Sequence, residues 1–316
     1  MQNLFIKQSL FFLMTMLSLS SFLFAEEKEL FNIPNDIQII TCSDVSTNET
    51  CENSNDEFVK KGEWSLGFSV GLGARTNPLV DGDNIPLILL PSFSYYGDHF
   101  FIDNLDIGYT LFESKSWTLN ILTTPAYDRV FFHDWDVGNI LVDIGVSGSP
   151  TNNPDMGFAD QEDQVTQITA FDLKDRKMSW MAGIEVSTDL AASQLQLSLL
   201  KEITDNHGGK EIRLAYATDI PSTSWTTAIG LTWKDQYMTD YYYGVDDSEI
   251  VDDRGAYQTS SSLSPFFRLN WLSKEKGESF WRFNIEYQRL DKTISNSPIV
   301  DNSSVTTIFF GKTFRF

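Results

Sequence analysis

Large apolar side chains alternate with small or polar ones through much of the chain from residue 62 to its end. The pattern is plainest from Trp281 to Gln288, where Trp, Phe, Ile and Tyr take every second position and Arg, Asn, Glu and Gln lie between them. A period of two puts alternate side chains on opposite faces of a β-strand. The same alternation starts at Trp64 and returns in segment after segment. We therefore predict an all-β protein whose strands each have one apolar face.

Hydropathy and aromatic placement distinguish a membrane barrel from a water-soluble β-sandwich, which would also alternate. Beyond the N-terminal region, no apolar stretch approaches the roughly 18 residues that a transmembrane helix requires. A membrane-spanning chain without such helices must close into a barrel, because lipid cannot satisfy unpaired backbone groups. The sequence therefore predicts an antiparallel transmembrane β-barrel, with Trp and Tyr at strand ends as interfacial girdles. These aromatic residues are Trp64, Tyr95, Trp117, Trp180, Tyr216, Trp225, Trp233, Trp271, Trp281 and Tyr287.

The number of strands follows from parity. A bacterial barrel with both ends in the periplasm has an even number of strands, with long loops outside and short turns inside. Counting strands back from Phe316 and forward from residue 62 assigns each loop to the outer or the periplasmic side. The two counts agree only if residues 99–113 form two strands that turn near Asn104 and Leu105. We therefore predict twelve strands with both ends periplasmic. Ten strands is the alternative, because the first of these two strands is short for a span of about nine to eleven residues.

Residues 1–25 have the pattern of an export signal. Lys7 precedes a short apolar run from Leu10 to Leu23, and an acidic cluster follows Ala25. The run is too short, and its flanks are wrong, for a spanning helix, so we predict a secretory signal peptide cleaved after Ala25. An uncleaved anchor helix is the alternative.

Residues 26–61 are acidic, rich in Asn, Ser and Thr, and nearly free of aromatic residues. We interpret them as a periplasmic extension that precedes a barrel domain over residues 62–316, with a partner-binding tail as the alternative. They contain the only two cysteines of the chain, Cys42 and Cys51, which we expect to form a disulfide in the oxidising periplasm. The whole sequence has 23 basic and 44 acidic residues, a net charge of −21, which argues against nucleic acid as a partner.

Charged residues occupy the polar faces of several predicted strands, and these faces point into the barrel. We expect the charges to pair across a narrow interior and to leave the lumen closed; a selective pore for small solutes is the alternative. The predicted lumen residues are Glu185, Glu211, Arg213, Arg268, Arg282, Glu286 and Arg315.

Residues with catalytic or metal-binding chemistry are sparse. The three histidines, His99, His133 and His207, all fall in predicted turns or loops, without the partners of a hydrolase at recognisable spacing. Acidic residues crowd two predicted outer loops, around Asp160 and Asp247, but they lack the spacing of a calcium-binding loop. We therefore predict solvated acidic loops, no catalytic residue, no metal site and no cofactor.

The chain ends in FFGKTFRF, a predicted strand whose last residue is aromatic. Gly311, Phe314 and the terminal Phe316 have the spacing of the sorting signal at the end of bacterial outer-membrane barrels, and the tail resembles that signal. The resemblance implies the Gram-negative outer membrane as the location and the barrel-assembly machinery as a partner. Alternation predicts that Phe316 faces lipid and that Arg315 faces the interior.

Several stretches of the chain resemble the MipA/OmpV family of outer-membrane proteins. The most specific stretch is DYYYGV, residues 240–245. The others are residues 85–111, 208–216 and 297–300, together with the Phe-terminated tail. The resemblance implies an outer-membrane barrel that contacts membrane lipid and lipopolysaccharide.

Members of this family have different roles, so the resemblance defines location better than activity. Some are described as scaffolds between a murein-degrading lytic transglycosylase and a murein synthase, and others as adhesion or osmotic-response proteins. We expect a non-enzymatic scaffold or structural envelope protein that docks periplasmic murein enzymes. A small-solute channel or transporter is the alternative, and a surface adhesin acting through loops 128–176 and 237–258 is the third hypothesis.

Overall fold

Twelve β-strands, counted within the residues that the structure describes, form a closed antiparallel barrel in the computed structural model. None of the described helices is long and apolar enough to cross a membrane. The predicted signal peptide, the acidic extension and the disulfide between Cys42 and Cys51 lie outside the described residues, as do His133 and most of the loop 128–176. The structure describes residues 61–132, 173–249, 256–273 and 279–316.

The barrel wall is built from strands that pair in chain order. The strands are β1 Trp64–Arg75, β2 Ile85–Tyr96, β3 Phe100–Asp103, β4 Asp106–Glu113, β5 Trp117–Pro125, β6 Trp180–Leu190, β7 Ser193–Glu202, β8 Lys210–Asp219, β9 Trp225–Lys234, β10 Ser262–Leu272, β11 Ser279–Arg289 and β12 Ser304–Arg315. Strand β1 closes the barrel by pairing with β12, and this register places Gly71 opposite Gly311. The prediction of twelve strands is therefore confirmed over the alternative of ten.

The predicted division of residues 99–113 into two strands is also confirmed. Strand β3 has four residues and β4 has eight. Asn104 makes the turn between them with a φ of +57°, a conformation that Asn adopts more readily than most residues. The pairs between β2 and β3 run from Ser94 to Tyr96, so β3 meets β2 only near the end of that strand.

Exposure along β1 distinguishes the two faces of the wall. Trp64, Leu66, Val70 and Leu72 are between 45% and 79% exposed, whereas Ser69 is fully buried. Large apolar side chains on the outside of a barrel form the band that contacts lipid, and the small residues between them line the interior. The alternation in the sequence therefore corresponds to the outer and inner faces of the wall.

One end of β2 departs from this alternation. The register between β1 and β2 shifts between Val70 and Gly73. Ile85 and Leu87 consequently turn into the barrel, where they are 8% and 1% exposed and pack with Phe309. The prediction of one apolar face for every strand is wrong here, because a bulge reverses the two faces within a single strand.

Within the described residues, two short α-helices lie in loops between strands, in segments that the sequence predicts to be irregular. They are α1, Gln236–Tyr243, and α2, Lys292–Ser295. Each helix begins after an aspartate, Asp235 or Asp291, whose side chain accepts a hydrogen bond from a backbone N–H of the first turn. This is the usual stabilisation of a helix N-terminus.

The chain termini distinguish the two ends of the barrel. Strand β1 begins and β12 finishes at the same end, which we call the periplasmic end. The opposite end, called the outer end, carries the long connections that follow β1, β5, β9 and β11. Connections at the periplasmic end include the two-residue turn between β6 and β7, Ala191 and Ala192. Short inner turns and long outer loops are typical of outer-membrane barrels.

Candidate functional site

Loops pack together at the outer end of the barrel. We call this assembly the plug and define it as α1, α2 and the outer-loop residues that pack with them. Its core is apolar, and Met238, Tyr242 and Ile299 at its centre are each 0% exposed. The buried members of this core, together with the wall residues that they contact, are Leu79, Leu122, Ala126, Met181, Leu200, Met238, Tyr242, Tyr243, Val245, Leu290, Ile294, Ile299, Val300 and Val305.

The sequence of α1 explains how the DYYYGV stretch enters this core. Met238 and Tyr242 are four residues apart and therefore share one face of the helix. Thr239 and Tyr243 continue that face, and all four residues are at most 1% exposed. A β-carbon on Gly244 would lie 2.5 Å from a backbone oxygen of α1, so the tight end of the helix requires glycine. The stretch thus supplies the buried face of the plug.

A buried charge pair joins the plug to the wall. Asp128 lies on a 3₁₀ helix, Tyr127–Phe131, that follows β5. Its carboxylate pairs with Lys234 at the outer end of β9 and accepts a hydrogen bond of 2.8 Å from the hydroxyl of Tyr243. Burial alone raises the pKa of Asp128, but Lys234 and Tyr243 outweigh burial, so the pKa lies below its usual value. The carboxylate therefore stays charged at neutral pH.

A second buried pair joins two outer loops. Arg176 donates from Nη1 and Nη2 to the two oxygens of Glu249, at 2.9 and 3.2 Å. Glu249 also accepts hydrogen bonds of 2.9 Å from the backbone N–H groups of Lys174 and Asp246. Burial raises the pKa of Glu249, but these donors together lower it. The prediction that this acidic loop is solvated is wrong at Glu249, because the residue is only 4% exposed.

The described histidines pack against aromatic rings. The ring of His207 lies 5.1 Å from that of Tyr241 and 5.7 Å from that of Tyr242, between centroids. Burial lowers the pKa of His207, which favours the neutral imidazole. His99 stacks on Tyr109 with a centroid separation of 5.4 Å. Among the described residues, no group of three or more His, Cys, Asp or Glu side chains could hold a metal ion.

The predicted lumen residues of β8, β10 and β11 contact neighbours along the wall. Arg268 and Glu286 are directly opposed on β10 and β11, and their side chains approach to 2.6 Å. Arg213 and Glu211 form an ion pair within β8. Residues two positions apart on one strand share a face of the sheet, which brings these charges together locally.

The other predicted lumen residues have polar or aromatic contacts. Arg282 donates from Nε to the side-chain oxygen of Asn284 at 3.0 Å. The guanidinium of Arg315 lies 4.8 Å from the centroid of the Phe280 ring. Glu185 accepts hydrogen bonds from three side chains on neighbouring strands. These donors are Gln196 at 2.6 Å, Ser198 at 3.1 Å and Asn120 at 3.3 Å.

The residues of the predicted assembly signal lie on or just beyond the closing strand. A β-carbon on Gly311 would lie 2.6 Å from the backbone oxygen of Val70, so the close pairing of β1 and β12 requires glycine here. The rings of Phe314 and Phe316 lie 5.1 and 5.7 Å from the ring of Phe68, between centroids. Phe316 is 76% exposed. The tail thus adds to an aromatic cluster at the periplasmic end.

The residues that hold the plug are absent from the site residues predicted from the sequence. Asp128, Lys234, Arg176 and Glu249 are single charged residues at strand ends or in loops, and their local sequence does not distinguish them from solvated residues. The DYYYGV stretch and residues 297–300, which both carry the family resemblance, are the sequence signals that point to the plug.

Comparison with protein families assigns nearly the whole barrel wall to one family. A family model described as MltA-interacting protein MipA matches residues 66–316. The chain belongs to the MipA family. This result confirms the resemblance seen in DYYYGV and the other stretches.

Named relatives of this MipA-family chain extend along most of its length. The MltA-interacting protein of Escherichia coli (strain K12) is 26% identical over 260 residues, which cover 81% of this chain and 91% of the relative. Outer membrane protein OmpV of Vibrio cholerae is 22% identical over 251 residues, which cover 78% and 84%. The solved structure of Acinetobacter baumannii OccAB3 aligns with a TM-score of 0.34 and 9% identity, covering 80% of this chain and 65% of that one. The family and the closed barrel place the protein in the outer membrane.

Proposed function

We propose that this MipA-family protein is a closed, non-enzymatic outer-membrane barrel that anchors a murein enzyme at its periplasmic end. The plug is the observation that carries the proposal. Protein cores are packed as densely as organic crystals, so an outer end filled by such a core offers no aqueous path to solutes. On this proposal, the protein functions through the partner protein that binds to its periplasmic end.

Contacts between loops from different hairpins hold the plug closed. The pair of Asp128 with Lys234 joins the loop after β5 to the wall, and the pair of Arg176 with Glu249 joins that loop to the loop after β9. The hydroxyl of Ser297, beyond α2, donates to a backbone oxygen of α1 at 2.6 Å. Breaking one buried ion pair by removing a partner costs about 3–5 kcal/mol. These contacts together favour a closed state at equilibrium.

A murein enzyme is the partner class that the family suggests. The Escherichia coli relative is called MltA-interacting protein, and the matching family model has the same description. We assign docking to the periplasmic end, where the short turns of the barrel are available. Lys61 and Asp98, 3.2 Å apart, place the start of the described chain beside the turn between β2 and β3, at this end.

The described histidines support the non-enzymatic part of the proposal. His207 is enclosed by tyrosine rings, and His99 stacks on the outer surface against Tyr109. Both contacts are structural, and neither resembles a nucleophile with its base.

Two measurements test the proposal. In planar bilayers, the wild-type protein should give no reproducible conductance steps, whereas a variant with residues 236–249 replaced by a Gly/Ser linker should conduct. In pull-downs from solubilised envelopes, wild-type protein should recover a lytic transglycosylase or a murein synthase, and a different outer-membrane barrel prepared in parallel should not. Conductance steps in the wild type would refute the closed barrel. Recovery of no murein enzyme would refute the docking role.

A small-solute channel is the second candidate, because charged side chains line the interior below the plug. The pairs Arg268 with Glu286 and Arg213 with Glu211 could select solutes by charge if the plug moved. Conductance that appears in the wild type and depends on these residues would favour this function. The adhesin hypothesis rests on loop 128–176, most of which lies outside the described residues, and on loop 237–258, whose helix α1 is part of the plug.

A further inference from the structure

Two lysines face each other on the outside of the barrel near its outer end. Lys201 of β7 and Lys210 of β8 are directly opposed in the strand register, and both are exposed. Like charges in directly opposed positions destabilise a strand pair. Neither lysine forms a salt bridge with any residue in the described part of the chain. An anion between them would remove this repulsion.

An apolar row lies two residues along each strand from the lysine row, further from the outer end and on the same face of the wall. The lysine row itself includes one small residue of β6. Ala182 of β6 is opposed to Lys201, and its small side chain leaves a groove of about 360 Å³. The apolar row continues in register from β6 to β9, and it consists of Ile184, Leu199, Ile212 and Trp233. Both rows line the groove.

The order of these groups fits a lipid with an anionic head group. Large apolar side chains face the acyl region, and Trp233 is of the type found where hydrocarbon meets head groups. Lysine side chains can extend to the head-group level while their stems lie along apolar surface. Ammonium groups form strong, charge-assisted hydrogen bonds with phosphate oxygens. The groove therefore presents phosphate-binding groups above an acyl-binding surface.

We propose that Lys201 and Lys210 bind a phosphate of the lipid A part of lipopolysaccharide, while an acyl chain lies in the groove over Ala182. The position at the outer end identifies the lipid, because this end meets the outer leaflet, whose phosphate-bearing lipid is lipopolysaccharide. Phospholipid of the inner leaflet meets the opposite end of the wall. The site is independent of murein-enzyme docking and of the plug.

Native mass spectrometry of the full-length, detergent-solubilised protein with bisphosphorylated lipid A tests the site. Wild-type protein should retain lipid A, and the double variant Lys201→Gln/Lys210→Gln should bind it at least about tenfold more weakly, since two charge-assisted contacts are lost. The matched control is Lys312→Gln, which removes a lysine from the outer surface near the periplasmic end, where it lies 5.8 Å from the Trp281 ring. This control should bind as the wild type does. Heat-modifiable migration on gels confirms that all variants are folded.

Other ligands and one further variant separate the parts of the proposal. Weaker retention of dephosphorylated lipid A and of phosphatidylglycerol would support lipopolysaccharide as the ligand. Equal retention of phosphatidylglycerol would overturn that assignment, and displacement of lipid A by inorganic phosphate alone would overturn the acyl contact. Ala182→Phe should fill the groove and weaken binding with both lysines present. Unchanged lipid A binding in the double lysine variant would overturn the site itself.

Discussion

Removing the carboxylate of Glu249 is the most direct way to loosen the plug. In Glu249→Ala, the guanidinium of Arg176 loses both of its contacts with the carboxylate, at 2.9 and 3.2 Å. Arg176 is only 6% exposed, so water cannot readily replace these contacts. Removing one partner of a buried ion pair costs about 3–5 kcal/mol, because the other charge remains buried. The backbone N–H groups of Lys174 and Asp246 lose an acceptor in the same variant.

The destabilisation should appear in the plug and not in the wall, because both partners lie in outer loops. A cost of 3 kcal/mol corresponds to about a hundredfold increase in local opening. Amide hydrogen exchange over residues 236–249 should therefore accelerate by about this factor, while exchange in β11 and β12 stays unchanged. In planar bilayers, the variant should show openings that the wild type lacks.

Lys174→Gln is the matched control for this variant. It removes an ion pair with Asp246 at 2.8 Å, in the same loops, but the two side chains are 57% and 69% exposed. Exposed pairs contribute about 0–1 kcal/mol, so hydrogen exchange in the plug should change little. Equal acceleration of exchange in Lys174→Gln and Glu249→Ala would refute the argument that the buried pair holds the plug.

The same pair gives the plug a dependence on pH. Despite its burial, Glu249 has a pKa below its usual value of 4.5, chiefly because Arg176 and two backbone N–H groups stabilise the carboxylate. A carboxylate whose pKa is lower in the folded than in the unfolded protein stabilises the fold at any pH above its unfolded-state pKa. This stabilisation is lost as the pH falls through the folded-state pKa. Plug opening in the wild type should therefore increase as the pH falls below the ordinary glutamate value of 4.5. In Glu249→Ala this increase should be smaller, and an equal increase would contradict the assignment.

Three further predictions concern the other charge pair and the closing strand. Asp128→Asn should lower the free energy of unfolding in detergent by about 3 kcal/mol, because Lys234 loses its buried counter-ion; urea titration measures this. Gly311→Val places a side chain against the backbone of β1 and should reduce the heat-modifiable, folded fraction, whereas Lys312→Gln should fold normally. Deleting Phe316 should reduce insertion into the outer membrane, and normal insertion in membrane fractions would refute its role in assembly.

Most of the wall could be predicted from the sequence, because most strands repeat the same two environments, lipid and barrel interior. In β11, alternate residues from Trp281 to Gln288 meet lipid or the interior, so a period of two is visible without any tertiary information. Parity then identified the short strand β3, whose four residues are too few to show a period. The reversal at Ile85 and Leu87 could not be predicted, because these apolar side chains fit either face and only the bulge decides between them.

The plug could not be predicted, because its contacts join distant parts of the chain. Asp128 and Lys234 are 106 residues apart, and Arg176 and Glu249 are 73 residues apart. A loop carboxylate has the same neighbours in sequence whether it is solvated or paired in a core. Resemblance to a family directed attention to DYYYGV, but the physical role of that stretch follows only from the burial of Tyr242 and its neighbours.

The plug also spans the seam where the two terminal strands meet. Leu79, after β1, forms a bridge with Val300, before β12, and the backbone N–H of Val80 donates to the oxygen of Ile299 at 3.0 Å. These partners lie far apart in sequence and on the two sides of the seam, so we expect their contacts to form when β1 and β12 pair. We therefore expect the outer end to finish folding only once the cylinder has closed. Protection of Tyr242, which is fully buried in the folded barrel, should then mark a molecule whose assembly is complete.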